Sequence, residues 1–368
     1  MNQPHRIIIS GGGTGGHIFP AIAIADQIKE LYPQTEILFV GALGRMEMER
    51  VPAAGYPIVG LPVAGLQRKS LLQNITLPFK LWKSVRRAAK IITDFKPQVA
   101  VGVGGYASWP LLRMASRKGI PYIIQEQNSY AGMANRALAN RANTICVASE
   151  GMERFFPKEK IRLTGNPVRG HMVSPSEALK QEGRAFFGIA PQRKCIIISG
   201  GSLGAQALNH CVQDYIEQSH GDSLVDIIWQ CGGHYRQVCE AVTAAHPYPW
   251  IHLHPFINRM ELAFAAADVV ISRAGAGTIA ELCTAQKAVI FVPSPNVTED
   301  HQTHNAMTLV NQHAALIVPE HTASASLMRT ALDLAHDVEK QRALVQNIAK
   351  LARPHATKDI VNEIVKLI

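Results

Sequence analysis

The run Ile7-Ile8-Ile9-Ser10-Gly11-Gly12-Gly13-Thr14-Gly15-Gly16-His17 decides the fold. Its β-branched residues predict a buried strand and its glycines a sharp turn. The alanine- and isoleucine-rich segment from Ile18 to about Leu31 predicts a helix. Strand, glycine turn and helix make the first crossover of a parallel sheet. Such a turn leaves backbone N–H groups unpaired at the helix start, where glycine lets a phosphate or sugar approach without a Cβ in the way. Gly11, Gly13 and Gly16 also satisfy G-x-G-x-x-G, the spacing of a dinucleotide enzyme. His17 adds an ionisable ring where a substrate would meet the turn.

Downstream, strands and helices alternate: a strand over Glu36–Val40, a helix from about Met46, and a strand near Pro57–Leu61. A dinucleotide enzyme places an acid at the end of its second strand to hold a ribose hydroxyl. Here that strand runs into Val40-Gly41-Ala42-Leu43-Gly44-Arg45, with no acid. Arg45 keeps an NADP-dependent oxidoreductase open, through a 2′-phosphate. Val99–Val103 leads into a second glycine turn, Gly104-Gly105-Tyr106, and a helix from about Ser108. Tyr122–Gln125 then delivers Glu126-Gln127-Asn128 to the same sheet edge. Several polar turns at one edge of one sheet predict a binding crevice.

Thr164-Gly165-Asn166-Pro167-Val168-Arg169 carries turn chemistry and reads as a linker. After it, Cys195-Ile196-Ile197-Ile198-Ser199-Gly200-Gly201-Ser202-Leu203-Gly204-Ala205-Gln206 repeats the opening unit. The chain therefore reads as α/β, with two Rossmann-like parallel-sheet domains facing a cleft, the first over 1–165 and the second over 166–345. Within the second, the strand Ala267–Ser272 feeds Arg273-Ala274-Gly275-Ala276-Gly277-Thr278-Ile279-Ala280-Glu281. Amides at this helix start suit a diphosphate, and Glu281 suits a ribose diol. After the strand Ala288–Val292, the polar loop Pro293–Ala306 precedes a further helix and is expected beside the same pocket.

Composition narrows the function. A length of 368 residues with 47% hydrophobic residues suits two globular domains. A net charge of +9 points to an acidic partner: nucleic acid, a phosphorylated substrate or an anionic membrane. The six cysteines form no C-x-x-C pair and no metal-ligand spacing, which predicts reduced, buried thiols. No secretory h-region and no spanning helix is readable, so the expectation is a cytosolic protein or one on a membrane surface. Residues 51–93 contain no Asp or Glu, while Arg68, Lys69, Lys80, Lys83, Arg86, Arg87 and Lys90 lie among Leu71, Leu72, Phe79 and Trp82. That pattern predicts interfacial contact with an anionic leaflet; aromatics for base stacking are too sparse for nucleic acid.

The segments GGGTGGHIFPA (11–21), GVGGYAS (102–108), QEQNSYAG (125–132), TGNPVR (164–169), ISGGSLGAQALN (198–209), SRAGAGTIAEL (272–282) and VPSPNVTEDHQTHNA (292–306) together resemble the MurG family, glycosyltransferase family 28. The resemblance implies the GT-B fold, with residues 346–368 returning as helices to the N-terminal domain. It implies an N-acetylglucosaminyltransferase of peptidoglycan synthesis whose partners are UDP-GlcNAc and lipid I, undecaprenyl-pyrophosphoryl-MurNAc-pentapeptide. The expected location is peripheral, on the cytoplasmic face of the bacterial inner membrane, with cell-wall and division assembly proteins as further partners. The nearest enzyme competitor within the same fold is a UDP-GlcNAc 2-epimerase.

Motif by motif, the resemblance places Thr14, Gly15 and Gly16 against the donor and the acceptor diphosphate, and Asn128, Arg169, Ser202, Ile257, Ala276, Gly277, Thr278, Ile279, Ala280, Glu281 and Gln302 against the donor. Ile257 matches a position whose backbone pairs with uracil. Gly13, Gly104, Gly105 and Tyr106 fall to the acceptor diphosphate. His301 departs from relatives that carry a second glutamine before Gln302.

The chemistry needs an acceptor hydroxyl to lose its proton, in-line attack on the anomeric carbon, and stabilisation of the departing UDP. The sequence contains no D-x-D pair to hold a divalent ion. The expectation is therefore no metal or cofactor bound by protein carboxylates, with helix N-termini and Arg169 taking up the charge and any divalent cation assisting from solution. Two bases stay open for the C4 hydroxyl: His17, by its near-neutral titration, and Glu126.

Overall fold

The structure, a computed structural model, describes residues 4–63, 77–168, 174–218 and 224–368. The chain divides into two α/β units, Met1–Val168 with Arg353–Ile368, and Arg169–Ala352.

In the first unit seven parallel strands, β1 (Arg6–Ser10), β2 (Glu36–Ala42), β3 (Ile58–Leu61), β4 (Val99–Gly102), β5 (Tyr122–Glu126), β6 (Thr144–Val147) and β7 (Ile161–Leu163), stand in the order β3-β2-β1-β4-β5-β6-β7. The crossovers carry α1 (Gly15–Leu31), α2 (Glu47–Ala53), α3 (Leu77–Phe95), α4 (Ser108–Arg117) and α5 (Met133–Leu138). Both sheet faces are covered, which is why β1 reads as a continuous apolar run. Ile7 and Ile9 pack with Ile18, Ile24 and Ile28 of α1, whereas Ile8 packs with Ala88, Ile92, Leu111 and Leu112 of α3 and α4.

In the second unit α6 (Glu177–Phe187) precedes a six-stranded parallel sheet. Its strands are β8 (Lys194–Ser199), β9 (Val225–Gln230), β10 (Ile251–His254), β11 (Val269–Ser272), β12 (Ala288–Phe291) and β13 (Leu316–Ile317), in the order β10-β9-β8-β11-β12-β13. Its other helices are α7 (Gln206–Gln218), α8 (Arg236–Ala245), α9 (Met260–Ala266), α10 (Ala276–Ala285), α11 (His301–Val310), α12 (Ala323–His336) and α13 (Val338–Lys350). Leu208, Val212 and Ile216 of α7 and Leu327 and Ala331 of α12 bury Ile196, Ile198 and Trp229 on one face.

The strand orders decide where a ligand fits. In each sheet the chain reverses direction of winding once, between β1 and β4 in the first unit and between β8 and β11 in the second. Crevices form at the carboxyl ends of the strands at such points. All the glycine turns singled out in the sequence lie at these two positions.

Two boundaries differ from expectation. The return to the first unit begins at Arg353, not 346, because α13 continues to Lys350 and buries Leu344 and Ile348, Leu344 within the second unit's core. Only α14 (Ala356–Val365) returns, packing Ile360, Val361 and Ile364 with α1 and β1. The first crossing lies after Val168 rather than 165. Gly165, at φ +88°, passes so near the returning chain that a Cβ there would stand 2.5 Å from Arg353 Cβ. Helix α1 also starts at Gly15, three residues before the expected Ile18, because the extended Thr14 offers its carbonyl to the amides of His17 and Ile18 at 3.1 and 3.2 Å. His17 therefore stands in the first turn of a helix, not in a loop.

Candidate active site

At the first switch point the two glycine turns interlock. The Ser10 carbonyl accepts from Val103 N–H at 2.9 Å and from the Ser108 hydroxyl at 2.9 Å. Gly105, at φ +86°, lies so close to Gly12 that any Cβ would collide with its carbonyl oxygen. The Thr14 hydroxyl lies 3.1 Å from His17 Nδ1 and fixes the imidazole's direction. The ring's other edge lies on Gly104, where a Cβ would stand 2.8 Å from Cδ2 and 2.9 Å from Nε2. Half-exposed Tyr106 lies beside Gly13. Thr14, Gly15, Gly16, His17, Gly13, Gly104, Gly105 and Tyr106 are thus brought together at one edge.

Glu126 ends β5 beside this group but is buried, at 2% exposure. One oxygen accepts from Asn128 N–H at 3.1 Å and the Asn128 amide at 3.4 Å. The other accepts from Gly132 N–H at 3.1 Å and Asn135 Nδ2 at 2.8 Å. Burial pushes the carboxyl above its ordinary range, while these four bonds pull it down. Both oxygens are engaged in the turn that carries Asn128 and in the start of α5.

Sequence reasoning missed two residues. Asn135 in α5 is 2% exposed, and its Oδ1 makes no hydrogen bond among the described residues. Its Nδ2 borders the same Gly104 position as the His17 ring, where a Cβ would stand 3.7 Å away. No motif marks it, because its relation to Glu126 comes from the turn between them.

The other missed residue is Glu47. An acid does stand at the end of β2, delivered from the first turn of α2. Fully buried Glu47 accepts from Ala42 N–H at 2.9 Å and from Gly13 N–H at 3.0 Å. The Gly13 amide, expected to face a diphosphate, is therefore already bonded. Neither Glu47 oxygen is directed at a ribose, which removes the dinucleotide reading's second requirement.

At the second switch point Ser202 and Leu203 are exposed at the tip of the turn before α7. Gly204 and Gly232 approach each other too closely for any side chain on either. Gln230 braces the turn, donating through Nε2 to the Ser199 hydroxyl and the Gly201 carbonyl, both at 3.0 Å. Its Oε1 accepts from Ile257 N–H at 2.9 Å. The Ile257 amide is thus committed inside the protein. Across the switch point Gly275 caps α10, and Ala276, Gly277, Thr278, Ile279 and Ala280 are half-buried above buried Glu281. Gln302, in the first turn of α11, accepts Ser294 N–H through Oε1 at 2.9 Å and so shapes the Pro293–Asn296 loop. Glu299 and Asp300, leading into α11 beside His301, have φ values of +57° and +48°. That left-handed pair is costly for residues with side chains and typical of functional loops.

Arg169, Leu71 and Leu72 lie outside the described residues. Phe79 and Trp82 lie on the exposed face of α3, at 58% and 51% exposure. Their rings stack 6.0 Å apart, with Lys83 Nζ 4.4 Å from the Phe79 centroid and Arg86 Cζ 4.8 Å from that of Trp82. Among the described residues no helix is long and apolar enough to cross a membrane. No group of His, Cys, Asp and Glu among them could hold a metal ion.

Residues 7–147 match the glycosyltransferase family 28 N-terminal domain and residues 195–363 its C-terminal domain. The chain is 54% identical, over 100% of its length and 97% of the relative's, to a Phocaeicola vulgatus protein. That protein is named UDP-N-acetylglucosamine–N-acetylmuramyl-(pentapeptide) pyrophosphoryl-undecaprenol N-acetylglucosamine transferase. It resembles the crystal structure of Acinetobacter baumannii MurG with a TM-score of 0.80 at 30% identity, covering 99% of this chain and 100% of that one. A UDP-GlcNAc 2-epimerase from Neisseria meningitidis shares the fold alone, with a TM-score of 0.64 at 14% identity, covering 98% and 100%.

Proposed function

The chain belongs to glycosyltransferase family 28, and from that premise we propose that it moves N-acetylglucosamine from UDP-GlcNAc to the C4 hydroxyl of the MurNAc unit of undecaprenyl-pyrophosphoryl-MurNAc-pentapeptide, with inversion at the anomeric carbon. The full-length identity of 54% to a transferase of that name carries the reading over the epimerase alternative.

The first switch point supplies the acceptor side. His17, oriented by the Thr14 hydroxyl 3.1 Å from its Nδ1, takes the C4 hydroxyl's proton. Glu126 holds Asn128 and the start of α5 in place around it. Gly104, Gly105 and Tyr106 receive the acceptor, with the diphosphate on the open amides of Gly15 and Gly16 rather than on Gly13.

The second supplies the donor side. The starts of α7 and α10 direct amides and helix dipoles at the UDP diphosphate, Ser202 among them, and stabilise it as it departs. Glu281 takes the ribose, the Ile257 carbonyl the uracil edge, and Gln302 the GlcNAc hydroxyls through its Nε2. This arrangement supplies charge stabilisation without a metal held by carboxylates, and Arg169 adds a cation to it. Phe79 and Trp82, among cations on α3, support a peripheral site on an anionic leaflet where a lipid-linked acceptor resides.

The test is UDP release from UDP-GlcNAc with and without a lipid I analogue. Release that requires the lipid-linked acceptor supports the proposal; release of equal rate without it, or none with it, opposes it.

A further inference from the structure

Glu47 is a carboxylate in a site built to hold it. It is fully buried, and each oxygen accepts one backbone N–H, from Gly13 and from Ala42. The surrounding space exists because Gly12 and Gly41 lack side chains: a Cβ on Gly12 would collide with Glu47 Oε1, and one on Gly41 would stand 2.5 Å from its Cγ. A helix that starts one crossover later thus sends an anion beneath the glycine turn. No such carboxylate stands under the corresponding turn of the second unit among the described residues; there Gly201, the counterpart of Gly12, donates its N–H to the neutral Ser199 hydroxyl at 3.3 Å. The two turns look alike in sequence and differ in charge.

We propose that Glu47 is a positioning and selectivity residue of the acceptor turn. It fixes the 11–16 backbone in the shape that presents Thr14 and His17, and it occupies the Gly13 amide that a free diphosphate would otherwise engage. With the Gly13 amide bonded and a negative charge behind it, a small free dianion has only Gly15 and Gly16 to bind, too little without the sugar and lipid contacts that a lipid-linked diphosphate adds. The first unit then does not compete for UDP or pyrophosphate, and the donor diphosphate is left to the uncapped turn of the second. The inference rests on the assignment of the acceptor to the first unit.

Glu47→Gln tests it. The amide keeps one acceptor but turns an NH₂ toward the other backbone N–H, so one of the two bonds is lost with almost no change of shape. Initial rates are measured with UDP-GlcNAc and a lipid I analogue, with inorganic pyrophosphate and UDP as inhibitors. The variant is expected to lose about tenfold in kcat, with the KM for UDP-GlcNAc unchanged. It should also gain at least about fivefold in sensitivity to pyrophosphate competing with the acceptor, on the scale of one charged hydrogen bond, while inhibition by UDP stays the same. A general loss of structure cannot produce that gain. Unchanged pyrophosphate inhibition in a folded, active Glu47→Gln enzyme overturns the proposal. Should Glu47→Gln fail to fold, Glu47→Asp is measured in its place: its shorter reach loosens the same bonds and must show the same gain. A wild-type enzyme without lipid-dependent transfer refutes the acceptor assignment instead.

Discussion

His17 sets one ring edge beside the Thr14 hydroxyl and the other against Gly104. A ring so oriented suits proton capture from a hydroxyl above it. His17→Ala should lower turnover by about 10²-fold, the scale of lost general-base assistance, with apparent UDP-GlcNAc affinity unchanged in steady-state kinetics. Normal turnover with weakened donor binding would make His17 a binding group. Glu126 gives the complementary case. Glu126→Gln leaves two of its four donors facing another donor, each costing ~1–3 kcal/mol, read by urea unfolding. A base would instead lose turnover at unchanged stability. At this scale the residues that a local motif marks are those the structure places at the two switch points: His17 after the glycines, Ser202 in the second turn, Glu281 after Gly277. Glu47 and Asn135 were hidden, because each owes its place to a neighbour on a different element.

The helices and strands named from the sequence were legible from period and composition: β-branched runs gave strands such as β1 and β8, an alanine- and isoleucine-rich run gave α1, and an amphipathic basic run gave α3. Their ends were less so. Helix α1 begins inside the glycine run because a backbone carbonyl, that of Thr14, caps it without any side-chain signal. The end of α10 is a similar case. Gln286 takes φ +51°, and the following Lys287 donates to the carbonyls of Ala265 and Ala267 at 3.3 and 2.9 Å, tying α10 to the end of α9. Burial lowers the Lys287 ammonium from 10.5 to about 8, against the pull of nearby Asp268. The unfolded chain then binds more protons than the folded one between about pH 8 and 10.5, so this group makes stability rise with pH across that window. Denaturation curves of the wild type and Lys287→Met at pH 7, 8, 9 and 10 should converge or cross in the wild type's favour as pH rises. Parallel behaviour would mean that the ammonium is not penalised by the fold.

At the level of the whole molecule, the repeat of strand, glycine turn and helix after residue 195 announced two units. The return of the last helix rested on family resemblance, since its apolar face could pack on either. The surplus of cations has a direction as well as a size: residues 51–93 carry no acid, and on α3 the cations bracket two exposed stacked rings. Each surface Lys or Arg contributes about 1 kcal/mol on an anionic leaflet. The protein should therefore sediment with anionic vesicles and be partly released by salt. Phe79→Ser with Trp82→Ser should weaken that binding and leave UDP binding intact. Equal binding of the wild type to neutral and anionic vesicles would contradict the membrane assignment.

The central claim is sugar transfer, and the structure of the product tests it most directly. The protein is incubated with UDP-GlcNAc and a lipid I analogue, and the lipid and nucleotide fractions are analysed by mass spectrometry and NMR. The expected product carries one N-acetylglucosamine per acceptor, β-linked to the C4 oxygen of MurNAc, with one UDP released for each. UDP-N-acetylmannosamine in the nucleotide fraction, or UDP released without sugar appearing on the lipid, would contradict it.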